Sequence, residues 1–262
     1  MFRLLLTLPF LAVPAWADPL VLEPRLSPEG ATVPSGVEWR VFRRGGVELD
    51  LVADAKGGEV RFDLPAGEYH IHAAFGRSQA VRTVTLDGPV RETIVLDAGG
   101  LRLGATSGGK PIPLGDVRNH IYSLDEDGER RAIALNVRPN DVVRLNEGRY
   151  HVVSRFGTVN ARTQADLFVR AGQITSVALK HRGARVSFAL TSEIGGPPVA
   201  NTQWTIFTDQ GEKIFQSSTV TPSVILAEGR YEALVRNGSR TYNQIFDIRD
   251  GDAKEIEILL PN

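Results

Sequence analysis

The sequence predicts an all-β protein made of three tandem β-sandwich modules behind a cleaved export signal. Three observations predict it. The motif Leu-x-x-Gly-x-Tyr occurs three times at a constant interval. The segments between turn signals alternate apolar and polar residues, and none keeps a 3.6-residue period for three turns between breakers.

The first element is the export signal. Met1-Phe2-Arg3 gives a short positive start, Leu4 to Val13 an apolar run, and Pro14 breaks it before Ala15-Trp16-Ala17. This is the pattern of a secretory signal peptide over residues 1–17, with a small-x-small cleavage site and a mature chain beginning at Asp18. The run is shorter than the roughly 20 residues that a membrane-spanning helix needs. No later segment is longer and as apolar, so the reading is not that of an integral membrane protein. The expected compartment is the periplasm, with the secreted medium second.

Composition narrows the classes further. Without Arg3 the chain carries a formal charge of −2, from 29 Lys+Arg and 31 Asp+Glu. Both signs are interspersed, which leaves no footprint for nucleic acid or an anionic membrane. Cysteine is absent, so stability rests on buried apolar area and backbone pairing. Its absence also removes the attachment point of a bacterial lipoprotein.

The repeat sets the domain organisation. "LPAGEY" (Leu64–Tyr69) returns as "LNEGRY" (Leu145–Tyr150) and "LAEGRY" (Leu226–Tyr231), and Gly67, Gly148 and Gly229 are 81 residues apart both times. Seven residues beyond each tyrosine stands Gly76, Gly157 or Gly238. Upstream lie "VEWRVF", "RNHIYS" and "TQWTIF", each followed by a polar glycine-containing turn. The second copy shows His120-Ile121-Tyr122 where the others show tryptophan. Each copy closes on an alternating strand, "ETIVLD", "ITSVALK" or "EIEILL". The modules are therefore placed at 18–98, 99–181 and 182–262.

Within a module, Val37, Trp39 and Val41 alternate with polar neighbours, and so do Tyr69, Ile71, Ala73 and Phe75. Period-2 patterning marks strands with one buried face. Asp87-Gly88, Asp127-Gly128, Asn237-Gly238 and Asp250-Gly251 supply turns at short intervals. About seven short strands per module imply two packed sheets. In Ig-like sandwiches a tyrosine near the start of a late strand turns its hydroxyl back onto upstream backbone and locks the crossover between sheets. Leu64, Gly67 and Tyr69 supply the parts in the first module. Leu145, Gly148 and Tyr150 supply them in the second, and Leu226, Gly229 and Tyr231 in the third: a core leucine, a turn glycine and the tyrosine.

The order "G-x-P-[IV]", aromatic strand, glycine turn, "L-x-x-G-x-Y" and closing "I-x-L" resembles the carboxypeptidase regulatory-like domains of the prealbumin-like group. It also resembles the tandem repeats that accompany von Willebrand factor A domains in bacterial exported proteins. The resemblance implies a β-sandwich with an accessory or binding role, and it brings no catalytic residues.

Candidate sites are few. His70 and His72 share a strand face with Glu68, a spacing that can hold a metal. The matching positions, Arg149, His151 and Val153 in the second copy and Arg230, Glu232 and Leu234 in the third, favour a polar surface instead. "GATSGGKP" (Gly104–Pro111) approaches a phosphate-binding loop, but Pro111 removes the magnesium-binding hydroxyl and no helix follows. "LDEDGER" (Leu124–Arg130) groups Asp125, Glu126, Asp127 and Glu129 without the later ligands that calcium requires, so a hairpin turn is expected. No nucleophile elbow, zinc-binding helix motif or cysteine nucleophile occurs, and no motif requires a cofactor.

The resulting expectation is a non-enzymatic, exported, multi-module binding or scaffolding protein whose partner is another envelope protein. Two alternatives stay open. One is a carbohydrate-binding envelope protein, which would need three of Phe75, Phe156, Phe168 and Tyr242 exposed together in one plane. The other is a metal-dependent enzyme at His70 and His72. The joins "LDAGGLRL" and "LKHRGARV" each set glycine between two strands and predict closely spaced modules.

Overall fold

The computed structural model describes residues 17–45, 48–124 and 127–260. Residues 1–16 of the expected export signal (1–17), with Asp125 and Glu126 of the acidic turn, lie outside the described residues. Among the described residues no helix is long and apolar enough to cross a membrane. The protein is all-β, with three tandem sandwiches of one topology. The chain divides into two compact units, the first ending at Ala98 and the second beginning at Gly99.

The first unit holds β1 (Ala17–Arg25), β2 (Val37–Gly45), β3 (Glu48–Gly57), β4 (Val60–Pro65), β5 (Gly67–Phe75), β6 (Ser78–Leu86) and β7 (Val90–Val95). They form a three-stranded sheet, β4-β1-β7, and a four-stranded sheet, β3-β2-β5-β6. β1 runs parallel to β7 and antiparallel to β4, which joins the two ends of the module in one sheet. The alternation read from the sequence sets which residues face inward: Val37, Trp39 and Val41 on β2 meet Tyr69, Ile71 and Ala73 on β5, all buried. Leu20, Leu22, Leu64, Leu86 and Leu96 complete that core. Two amphipathic sheets can hide their apolar faces only against each other, so a sandwich results.

The second unit repeats the plan twice. Its first sandwich has β8 (Ala98–Ser107), β9 (Lys110–Pro111), β10 (Val117–Leu124), β11 (Arg130–Val137), β12 (Val142–Asn146), β13 (Gly148–Phe156), β14 (Arg162–Val169) and β15 (Ile174–His181). The sheets are β12-β8-β15 and β11-β10-β13-β14, with the short β9 hairpinned onto β8. The next sandwich has β16 (Gly183–Thr191), β17 (Thr202–Thr208), β18 (Lys213–Ser217), β19 (Ser223–Ala227), β20 (Gly229–Asn237), β21 (Arg240–Ile248) and β22 (Lys254–Leu259). Its sheets are β19-β16-β22 and β18-β17-β20-β21.

The register corrects one detail of the repeat. Trp39 lies across from Ala73 and Trp204 across from Val235, each four residues past the motif tyrosine. The residue across from the corresponding Ser154 is Asn119, not His120. Asn119 is fully buried and donates through Nδ2 to Val137 O at 3.4 Å, whereas Trp39 Nε1 donates to Gly58 O at 3.0 Å. An amide is much smaller than an indole, so the middle core is more polar and its apolar cluster smaller at this level.

Candidate functional site

The three motif tyrosines make the same bond. Tyr69 Oη donates to Pro65 O at 2.6 Å, Tyr150 Oη to Asn146 O at 2.9 Å and Tyr231 Oη to Ala227 O at 2.9 Å. Leu64, Leu145 and Leu226 are buried on β4, β12 and β19, the strands that lead into each corner. Gly67, Gly148 and Gly229 take φ of 157°, 153° and 157°, backbone that favours glycine. Burial raises the pKa of Tyr150 and of Tyr231, which keeps both phenols protonated as donors.

The third corner has an additional partner. Asn160, in the β13–β14 turn, donates through Nδ2 to Tyr231 Oη at 2.9 Å and accepts from Ala227 N at 3.0 Å. One side chain of the second sandwich thus holds both ends of the corner in the third. The turn presses close here: a Cβ on Gly157 would lie 2.7 Å from Ile225 Cβ. Ala105, Ile112, Val117, Phe156 and Ala161 close a small apolar cluster around Ile225.

The segment that resembles a phosphate loop belongs to the same junction. Ser107, the last residue of β8, and Gly108, in the turn to β9, meet Asp250 and Gly251, in the turn between β21 and β22. Gly108 N donates to Asp250 Oδ1 at 2.9 Å, and Gly251 N to Gly183 O at 3.0 Å. Ser107 Oγ stands 2.6 Å from Gly183 O and 2.7 Å from Asp250 Oδ1, so two acceptors share its one proton. A Cβ on Gly108 would come within 2.8 Å of Gly251 Cα, and one on Gly251 within 2.6 Å of Gly108 Cα. Desolvation opposes ionisation of Asp250, but the bonds from Ser107 and Gly108 and the charge of Arg182 outweigh it and lower its pKa. Arg185 Nη2 adds a bond to Asp116 Oδ1 at 2.7 Å.

A buried histidine lies beside these ties. His181 is 1% exposed, with Nε2 2.9 Å from Ser154 Oγ and its ring edge-on to Phe156 at 5.7 Å. Desolvation depresses its pKa to about 4 against a weak opposing pull from Asp250, so the ring is neutral at pH 7. Next to the junction opens a groove of about 600 Å³, lined by Arg155, Thr158, Arg162, Thr208, Glu212 and Lys213 among others.

Residues 185–260 match a family model, the Rhizobiales growth-associated tandem repeat domain. The matched segment is nearly the whole third sandwich. A comparison with curated proteins found no match. Among solved structures, the minor pilin GBS52 of Streptococcus agalactiae is 14% identical over 63% of this chain and 95% of that one, with a TM-score of 0.37. The Bacillus anthracis TIE protein is 14% identical over 94% of this chain, with a TM-score of 0.29; this chain spans 51% of its length. The pilus adhesin SpaC of Lactobacillus rhamnosus GG, in its open conformation, is 11% identical, covering 94% of this chain and 44% of that one, with a TM-score of 0.29.

The remaining sequence candidates fall elsewhere. His70 and His72 lie on the outer face of β5, where each bonds to β6: His70 Nδ1 to Thr83 Oγ1 at 3.0 Å and His72 Nε2 to Gln79 Oε1 at 3.4 Å. Glu68 stands 3.8 Å from His70 Nε2. No group of three or more side chains able to share a metal occurs among the described residues. Of the four aromatics considered for a sugar platform, Phe156 is in the junction cluster, Phe75 and Tyr242 pack against cores, and Phe168 is exposed. Carbohydrate stacking therefore has no platform in these four.

Sequence reasoning missed Asn160 and His181, and it read Asp250 only as a turn residue. For Asn160 and His181 the available signal was their failure to recur, because residues that the sandwich itself requires appear in all three copies.

Proposed function

We propose that this protein is an exported, non-enzymatic scaffold that docks other proteins of the cell envelope along its sheet edges, with the periplasm as its compartment. The observation that supports this is the placement of seven of its exposed apolar side chains. Leu49, Leu51 and Val52 lie on β3, Val81 on β6, Leu135 on β11, Phe168 on β14 and Ile245 on β21. All five strands are outer strands of the four-stranded sheets. An edge strand with free backbone groups and apolar side chains is a template for an added strand, and proteins ordinarily blunt such edges with charge. The tied junction of the second and third sandwiches suits a scaffold, since fixed orientation reduces the entropy lost when a partner binds. The resemblance to carboxypeptidase regulatory-like modules agrees with an accessory role, and 18–98, 99–181 and 182–262 are the proposed module limits.

Photo-crosslinking residues placed at Leu51 and Phe168, and at the inner-strand positions Glu38 and Arg236 as controls, test this in intact cells. Adducts at the edge positions and none at the controls are expected. Equal labelling at all four, or none at either edge, would refute edge docking. N-terminal sequencing of the exported chain should begin at Asp18, and an uncleaved Met1 terminus would overturn the export assignment.

A further inference from the structure

We infer that the groove beside the β13–β14 turn binds a phosphate monoester dianion through Arg155, Arg162 and Lys213. This goes beyond protein docking and does not depend on it. Arg155 on β13 stands directly across from Arg162 on β14. Like charges in that position destabilise a sheet. No ion pair among the described residues neutralises either one, or Lys213.

The other two copies are internal comparisons, because they build the corresponding hairpin, with a turn two residues shorter, without the charge pair. The matching cross-strand pair is Ala74 with Gln79 in the first sandwich and Arg236 with Thr241 in the third. The single arginine of the third copy is engaged by Gln203. The hairpin therefore does not require two arginines, and keeping them opposes its stability. A ligand that carries the missing negative charge accounts for both facts.

The groove also selects the kind of anion. Its lining carries Arg155, Arg162 and Lys213 against one carboxylate, Glu212, a net charge of +2. A phosphate monoester carries about −1.5 to −2 near neutral pH, and two guanidinium forks match its oxygens. Thr158 and Thr208 supply hydroxyl donors; Thr208 Oγ1 already accepts from Glu212 N at 3.2 Å and keeps its own proton to give. At about 600 Å³ the space has the size of a small-molecule site and would take a sugar phosphate or a lipid headgroup.

The test titrates the full mature chain with glycerol 3-phosphate by calorimetry. In parallel, the chain is floated with phosphatidylcholine vesicles with and without phosphatidic acid. Saturable binding to at least one source is expected, weakened at least about tenfold in the Arg155→Ala/Arg162→Thr double variant, which removes both forks. Binding of the free ester assigns a soluble ligand, and binding of the acidic vesicles alone assigns a headgroup. The double variant should melt no lower than the parent, because it removes a like-charge pair. Arg236→Ala, at the matching position of the third copy, should bind like the parent. Absence of binding to both sources, undiminished binding by the double variant, or equal weakening by Arg236→Ala would overturn the inference.

Discussion

Acidification should loosen the second sandwich through His181, by an amount that follows from its burial. The ring is neutral in the folded chain, with its pKa depressed from 6.5 to about 4 by desolvation. In the unfolded chain it takes up a proton near 6.5, so the unfolded state binds more protons below that pH and stability falls as pH falls. The contribution is complete above pH 6.5, declines between 6.5 and 4, and is flat below. The full difference corresponds to about 3 kcal/mol at 1.36 kcal/mol per unit, of which about 2 kcal/mol is lost by pH 5. Hydrogen exchange of peptides covering β15 and β8 reads the local opening energy without requiring the three modules to unfold together. His181→Gln keeps a polar contact to Ser154 but cannot titrate, so its protection should change little between pH 7 and 5 once intrinsic rates are removed. An equal pH response in the parent and the variant would refute the assignment of the loss to His181.

Three further outcomes follow from the geometry. Tyr231→Phe leaves Asn160 Nδ2 and Ala227 O without the hydroxyl and should cost about 1–3 kcal/mol, more than Tyr69→Phe, which strands only Pro65 O; calorimetric melting of both variants decides the order. Gly108→Ala puts a methyl against Gly251 in left-handed backbone and should make the stretch between the second and third sandwiches more sensitive to limited proteolysis, whereas Gly109→Ala, with nothing within 4 Å, bears only the backbone strain. Trp39→Ala empties the centre of the first core and should cost about 3–5 kcal/mol there, seen as a lowered first-unit transition while the unit beginning at Gly99 keeps its own.

Much of the fold was legible because its determinants are local and repeated. The alternation along β2 and β5 states which side chains face inward. The glycine and tyrosine of each corner sit within a few residues of the carbonyl that they serve, and three copies separate what the sandwich needs from what is incidental. That comparison also disposed of His70 and His72 as a recurrent feature. It was less sure where one copy departs: Asn119 was hidden behind His120 because the spacing upstream of the motif depends on strand register, which only pairing with Ser154 decides.

The sequence by itself determined an all-β chain of three sandwiches and an expected route of export. Its strand period, turn residues and signal pattern each act within a few residues. Tertiary structure decided what the non-repeating residues do. Ser107 meets Asp250 across 143 positions, and Asn160 meets Tyr231 across 71. Such contacts leave no periodic trace, because they depend on how one sandwich is oriented on the next. The same orientation turns an apparent phosphate loop into a junction and sets Arg155, Arg162 and Lys213 around one groove.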